Sequence, residues 1–501
     1  MSKLKINILA SYISQIYIIL ISLIILPLYM KYMGAEAYGL VGFFTMLQGL
    51  FMLLDFGLTP TISRQTAQYN AGASTALAFR QLFRALSLIF MAIAIIGAGL
   101  LWHLDTYIAL FWLKLQHLNM ADVLFALQSM AICVALRWMT GLYRGVISGF
   151  EQIVWLSVIN TLVATLRFPG ALLFMYFLGF DVKSFFLFQL VVAVFEFAAL
   201  FIKTYRLLPS IPISTTIGCS LRPLKSVLGF ALTIAFTSSV WVLLTQLDKF
   251  ILSGVLTLSD YGYFSLAVLV AGGVLQVSTP VSSVIMPRLA YLHGEQKITE
   301  MREVYLNATQ FIAVIAVSAG IVLAALAKPI LYVWTGDVIL AEKTAPILTL
   351  YALGNALLAL GAFPYYLQYA YGNLKYHFLG NILSVILLIP AIIWAARNYG
   401  AIGAGWIWFI FQVVYLFGWV SFVHMKIQHG INIKWFKSFL PSSLLVSGFI
   451  FFIAYIFNFS NVRLIAFFQI TLFSLIGLII ALLSSNSARR LLKNKLLKRL
   501  I

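Results

Sequence analysis

Arg167 lies near the middle of an apolar stretch, residues 153–178, two residues before Pro169 and on one helical face with Asn160 seven residues earlier. A charge at the centre of a bilayer costs about 3 kcal/mol or more unless it is paired or wetted, so such a residue faces a partner or a ligand. An arginine there offers a planar fork of donors to a phosphate or a carboxylate. Two readings stand side by side: contact with an anionic ligand, or a structural pair with Glu196, midway along the next apolar stretch. Asp55, inside LLDFGLTP, has Gln48 two turns earlier on the same face. It acts in ion coupling or gating, or it makes a helix-to-helix hydrogen bond that positions Gly57 and Pro60. Asp248 and Lys249 are sequence neighbours, about 100° apart on a helix, and do not automatically pair. Thr237, Trp241, Thr245 and Asp248 form a stripe at helical spacing whose indole could stack on a sugar ring, although threonine and tryptophan also pack ordinary membrane helices. Lys249 and Arg137 are near enough to stretch ends to snorkel. The candidate substrate contacts are therefore Arg167, Arg137, Lys249, Trp241 and Asn160, and the candidate ion-coupling or gating residues are Asp55, Glu196 and Asp248.

Catalytic and metal chemistry finds little support. Cys133 sits in an apolar run and Cys219 in a basic loop, with no metal-ligand spacing between them. The histidines, His103, His117, His293, His377, His424 and His429, fall at stretch ends or in loops, so a buried acid/base histidine is not expected. No cofactor is expected; coupling to a proton or sodium gradient through the buried carboxylates is.

The elements that must position these residues follow from hydropathy. Of 501 residues 62% are hydrophobic and 9% charged, with many apolar runs of membrane-spanning length. The reading is an all-α polytopic membrane protein with about 14 transmembrane helices, near residues 7–30, 39–63, 85–104, 122–140, 153–178, 185–205, 227–255, 261–286, 305–327, 345–366, 378–396, 402–423, 439–457 and 464–483. The first stretch is too long for a signal-peptide core and lacks a small-residue cleavage site, so it is read as a retained helix. With the N-terminus in the cytoplasm, the outside loops carry only Lys31, Lys114, Lys183, Lys328, Lys343, Arg397 and Arg463, while most other cations, Arg144 among them, fall inside. That asymmetry supports an even number of spans with both termini cytoplasmic. The net charge of +19 is then an orientation signal and need not imply nucleic acid; the tail ARRLLKNKLLKRLI is suited to anionic lipid head groups. No loop is long enough for a soluble catalytic domain.

An internal duplication organises the spans. Ala37-Tyr38-Gly39 is matched by Asp260-Tyr261-Gly262 at an offset of 223 residues, and Arg64/Arg288 and the segments 143–149/366–372 keep nearly the same offset. Each repeat crosses the bilayer six times, so the two lobes are expected to share an orientation about a pseudo-two-fold along the membrane normal, with a substrate path at the seam and alternating access by rocking. The expected domains are an N-terminal lobe (1–205), a cytoplasmic linker (206–226), a C-terminal lobe (227–425), two additional helices (438–484) and a basic cytoplasmic tail (485–501).

The segments LPLYMKYMGAEAYGLVGFF, LLDFGLTPTISRQ, TQLDKFILSGVLTLSDYGYFSLA, KPILYVWTGD and NYGAIGAGW, in this order and spacing, resemble the polysaccharide transporters of the multidrug/oligosaccharidyl-lipid/polysaccharide exporter superfamily, including O-antigen and exopolysaccharide flippases. The resemblance implies two six-helix bundles around a central cavity and movement of an undecaprenyl-pyrophosphate-linked oligosaccharide from the cytoplasmic to the periplasmic leaflet of the bacterial inner membrane. Cationic cavity residues would contact the pyrophosphate, and polysaccharide polymerase machinery is a possible partner beside membrane lipids. Two helices after the core also resemble the lipid II flippase branch, but that branch has arginines on its first two helices, where this chain has none before Arg64. A multidrug antiporter of the same superfamily, with an acidic cavity, is the main alternative. A membrane scaffold and a glycan-modifying enzyme stand further off.

Overall fold

The computed structural model describes residues 3–55, 57–210, 217–218 and 242–485. Regular structure among them is helical, apart from an isolated bridge between Lys114 and Thr257. Among the described residues, twelve helices are long and apolar enough to cross a membrane. They reconcile with the expected 14. The stretch Lys375–Ile427 joins expected spans eleven and twelve through Gly400, whose φ of 60° breaks the helix between them. Expected span seven lies partly outside the described residues, and its described part, 242–255, is helical. Most of the linker, the tail, Thr237 and Trp241 also lie outside them.

The chain divides into two compact units, Met1–Gly262 and Tyr263–Ile501. The described part of span seven packs with the first unit. Gly254 faces the Trp112 ring, the Trp112 indole N–H donates to Ser253 Oγ at 2.9 Å, and Gln246 lies against Gly49.

In lipid there is no hydrophobic drive between helices, so close packing rests on small residues. The fourth span, Met120–Gly149, shows how. Gly141, Gly145 and Gly149 recur every four residues and turn one stripe towards the helix Leu58–Asn70. A Cβ on Gly145 would sit 2.6 Å from Ile62 Cγ2, and one on Gly149 2.4 Å from Thr66 Cβ and 2.5 Å from the Ser63 carbonyl oxygen. The second span is not one helix, as expected from its hydropathy, but breaks after Ala35–Phe51 into a 3-10 turn, Met52–Asp55, and restarts after Gly57, which is left-handed with φ 69°. Among the described residues, the bonds of Asp55 are local. Its Oδ1 accepts from the backbone N–H of Thr59 at 3.2 Å and the Thr59 hydroxyl at 2.6 Å, a local cap on the restarted helix.

The duplicated Tyr-Gly motif meets its own copy within the first unit. A Cβ on Gly39 would stand 2.1 Å from the Leu258 carbonyl oxygen, and one on Gly262 would stand 2.3 Å from the Ala35 carbonyl oxygen. Leu258 and Ala35, like Gly262 and Gly39, are 223 residues apart, so the two contacts are images of one another under the repeat. Glu36 braces the same end, its carboxylate accepting from the backbone amides of Gln116 (2.6 Å), His117 (3.0 Å) and Leu118 (3.4 Å).

In the second unit the last two helices, Ile431–Ile456 and Arg463–Ser484, are part of the core, not appendages. Trp435, Phe439, Val446 and Ile450 are buried in it, and Gly477 lies against Ile450. The Trp435 indole donates to Thr309 Oγ1 at 2.9 Å. His424 corrects the expectation of interfacial histidines: it is 0% exposed, with Nε2 2.7 Å from the Tyr305 hydroxyl and Nδ1 3.2 Å from Asn432 Oδ1. The helix Val420–Ile427 ends beyond it, and Trp435 of the following helix covers its ring at 5.0 Å.

Candidate functional site

Three helices of the first unit each carry two polar residues seven positions apart, which stacks them two turns apart on one face. They are Arg137 and Arg144 on Met120–Gly149, Asn160 and Arg167 on the fifth span, Ile153–Leu178, and Gln189 and Glu196 on the sixth, Val182–Leu207. The fourth and sixth spans keep one register. Arg137 Nη2 donates to Gln189 Oε1 at 3.0 Å and Arg144 Nη2 to Glu196 Oε1 at 2.6 Å, both across 52 residues. A constant separation is what helices running in the same direction give. The glycine stripe holds the adjoining flank of the fourth span, centred about 90° round the helix from the arginines, against Leu58–Asn70, and the arginines emerge towards spans five and six.

The remaining bonds tie five spans together. Arg144 Nη1 donates to Asn160 Oδ1 at 2.5 Å, and Arg137 Nη1 donates to Gln48 Oε1 at 3.0 Å while its guanidinium lies 5.0 Å from the Phe44 ring centroid. The fifth span opens into a π-helical turn at Leu166–Gly170, where Pro169 has no N–H to give. Two carbonyls of that turn accept from other spans. Tyr29 donates to the carbonyls of Arg167 (2.9 Å) and Phe168 (2.7 Å), and Gln189 Nε2 donates to that of Arg167 at 3.0 Å. Gln189 is thus the joint of the network, accepting from Arg137 and donating to the fifth span.

The charges are not fully matched. Glu196 Oε2 and Arg137 Nε face each other at 4.0 Å, both buried and both without a hydrogen bond among the described residues. Arg167 is partly exposed as a residue, and its guanidinium makes no hydrogen bond or ion pair with any described residue. Three arginines thus surround one carboxylate at membrane depth. The repeat does not double this feature: at the offset of 223, Arg137, Arg144 and Glu196 correspond to Leu360, Leu367 and Trp419.

Of the predicted site residues, the fold brings Arg137, Asn160, Arg167 and Glu196 into this one cluster. The structural pair weighed for Glu196 exists, but with Arg144 in place of Arg167. Arg137 does not snorkel; its side chain is 8% exposed and bonded on two sides. Asp248 is buried, and Lys249 Nζ bonds the Thr245 carbonyl and comes 3.9 Å from Asp248 Oδ1, so these neighbours do approach one another. Asp55 is a helix cap, as described above, and Trp241 lies outside the described residues. Sequence reasoning placed Arg144 in an inside loop, named Gln48 only for the face it shares with Asp55, and passed over Gln189. The seven-residue spacing from Arg137 to Arg144 and from Gln189 to Glu196, already used for Asn160 and Arg167, was the signal that could have found them.

Comparisons with solved structures place the fold. The lipid II flippase MurJ in its inward closed conformation superimposes with a TM-score of 0.73 at 16% identity, covering 97% of this chain and 99% of that one. An inward-facing multidrug resistance MATE family transporter of the MOP superfamily gives 0.64 at 13% identity, with 82% and 96% covered. A MOP superfamily transporter from Pyrococcus furiosus, described as having a binding pocket of reverse polarity, gives 0.53 at 17% identity, with 85% and 94% covered. The protein therefore has the fold of the MOP superfamily transporters. Residues 4–293 match the polysaccharide biosynthesis protein family, and the chain belongs to that family. A search of curated protein sequences found no match.

Proposed function

We propose that this protein is a flippase, not an enzyme, that moves an undecaprenyl-pyrophosphate-linked oligosaccharide from the cytoplasmic to the periplasmic leaflet by alternating access, for O-antigen, capsule or exopolysaccharide assembly. The observation that carries this is the surplus of positive charge at membrane depth: Arg137, Arg144 and Arg167 beside the carboxylate of Glu196, with the Arg167 guanidinium making no hydrogen bond to any described residue. A guanidinium retained there at a cost of about 3 kcal/mol or more suits an anionic head group. A drug antiporter for cations would call for the opposite sign. Asn160 would help to hold Arg144 in place, and Lys249 and Trp241 remain proposed contacts for the sugar or pyrophosphate. The membrane would be the bacterial inner membrane, with both termini cytoplasmic, and polysaccharide polymerase machinery is a proposed partner. Glu196, Asp55 and Asp248 are proposed for coupling to a proton or sodium gradient; transport that persists after both gradients are dissipated removes that part.

Lipid II is the second reading. In its favour is the likeness to the lipid II flippase over 97% of the chain, which takes in the last two helices. Against it, the first two spans carry no arginine before Arg64. The test is transbilayer movement of a polyprenyl-pyrophosphate-linked oligosaccharide in proteoliposomes, comparing native protein with Arg167→Gln. Protein-dependent movement that falls at least about tenfold in the variant supports the assignment, the loss expected for one charge-assisted contact. Folded native protein that moves no such lipid, with several sugars tried, refutes it; movement of lipid II alone selects the second reading.

A further inference from the structure

We infer that Glu196 is a specificity-determining internal anion: it takes up one of three arginine charges, leaves a surplus of two that matches a diphosphate diester, and competes with the ligand's phosphates for the donors of Arg144 and Arg137. This rests on the flippase reading and names what sets its charge selectivity.

Two observations carry it. The first is the count. Three guanidiniums and one carboxylate leave two positive charges within this cluster, and a diphosphate diester carries one negative charge on each phosphorus. A lipid monophosphate diester brings half that charge. The second is the quality of the bond. Glu196 is 7% exposed, yet among the described residues only one of its oxygens is hydrogen-bonded, to Arg144 at 2.6 Å; the other is buried and 4.0 Å from Arg137 Nε, which likewise has no hydrogen bond there. Gln48 and Gln189 hold the two terminal nitrogens of Arg137 at 3.0 Å each and fix the guanidinium at that distance. A buried pair kept for stability alone is expected to close both contacts, because each charge left without its bonds weakens the pair. An ion pair left half-made at two buried atoms is one that another anion can displace. The Arg144 side chain is also 29% exposed, so the donor that Glu196 holds best can still be reached.

A purely structural carboxylate and an internal competitor predict opposite signs. If Glu196 only holds the helices together, Glu196→Gln loosens the arginines and weakens ligand binding. If it competes, the same variant binds a diphosphate more tightly and releases it more slowly. The experiment uses the full chain in nanodiscs with a farnesyl-diphosphate-linked N-acetylglucosamine probe. Glu196→Gln is expected to lower Kd by about tenfold, the scale of one like-for-like charge contact, and to slow transbilayer movement. Glu196→Asp is the second variant. It keeps the negative charge and so protects folding, but its shorter side chain reaches Arg144 less well, and its Kd is expected to fall by about threefold. Where Glu196→Gln does not fold, this variant decides. Native protein that binds the probe while the folded variants bind it equally or more weakly overturns the role given to Glu196 alone. Native protein that binds no probe overturns the flippase reading together with it.

Discussion

Replacing Arg144 by glutamine should destabilise the first unit more than replacing Glu196 by glutamine, although the two residues share one bond. Removing Arg144 leaves Glu196, 7% exposed, without its charged hydrogen bond, with Arg137 at 4.0 Å and Arg167 further off as the remaining counter-charges. Removing one partner of a buried ion pair costs about 3–5 kcal/mol. Arg137 stays near enough to offset part of that, which sets the expected loss at about 3 kcal/mol. Removing Glu196 leaves Arg144 bonded to Asn160 and 29% exposed, able to turn towards polar surroundings, so the expected loss is about 1–2 kcal/mol. The double variant contains neither orphaned charge and should cost less than the sum by about 2 kcal/mol. The assay is reversible SDS unfolding in mixed micelles, followed by tryptophan fluorescence, across the four corners of the cycle. A coupling energy below about 0.5 kcal/mol, or Glu196→Gln costing more than Arg144→Gln, would refute the reasoning that the asymmetry of burial controls the cost.

Two further outcomes concern packing. Gly149→Ala places a methyl 2.4 Å from Thr66 Cβ and 2.5 Å from a backbone oxygen that cannot move away, so a loss of about 2–3 kcal/mol is expected; Gly448→Ala, with nothing within 4 Å, should be neutral or gain up to about 1 kcal/mol from helix propensity. The same unfolding assay reads both, and equal losses would sink the close-packing account of the glycine stripe. In the second unit, Trp435→Phe keeps most of the ring volume but drops the bond to Thr309, for a loss of about 1 kcal/mol, whereas Trp435→Ala should cost about 3–5 kcal/mol. A mild Trp435→Ala phenotype would show that the last two helices do not belong to that core.

The sequence by itself determined the all-helical membrane-spanning architecture, the approximate number of spans and the family resemblance, because a bilayer imposes a one-dimensional rule. A chain crossing lipid must bond its own backbone over some 20 residues, and hydropathy and loop charge record each crossing in order. Even the merged helix Lys375–Ile427 was legible as two spans, since the chain turns at Gly400 whatever surrounds it. Arg167 and Glu196 were legible too, as charges too deep to be left without a purpose. Which charges meet was decided only by the tertiary structure. Arg144 reads as a loop residue because YRG follows the apolar run, but the helix continues to Gly149, since the glycine stripe lets Leu58–Asn70 pack closely there, and so Arg144 stays within reach of Glu196. Asp55 reads as a mid-span charge, yet the left-handed Gly57 ends the helix beside it and turns its carboxylate to Thr59. His424 reads as interfacial until Trp435 of the next helix covers it. In each case the deciding fact is a contact with a residue from another helix or turn, and hydropathy, summed along one strand of sequence, carries no information about which neighbour a helical face will meet.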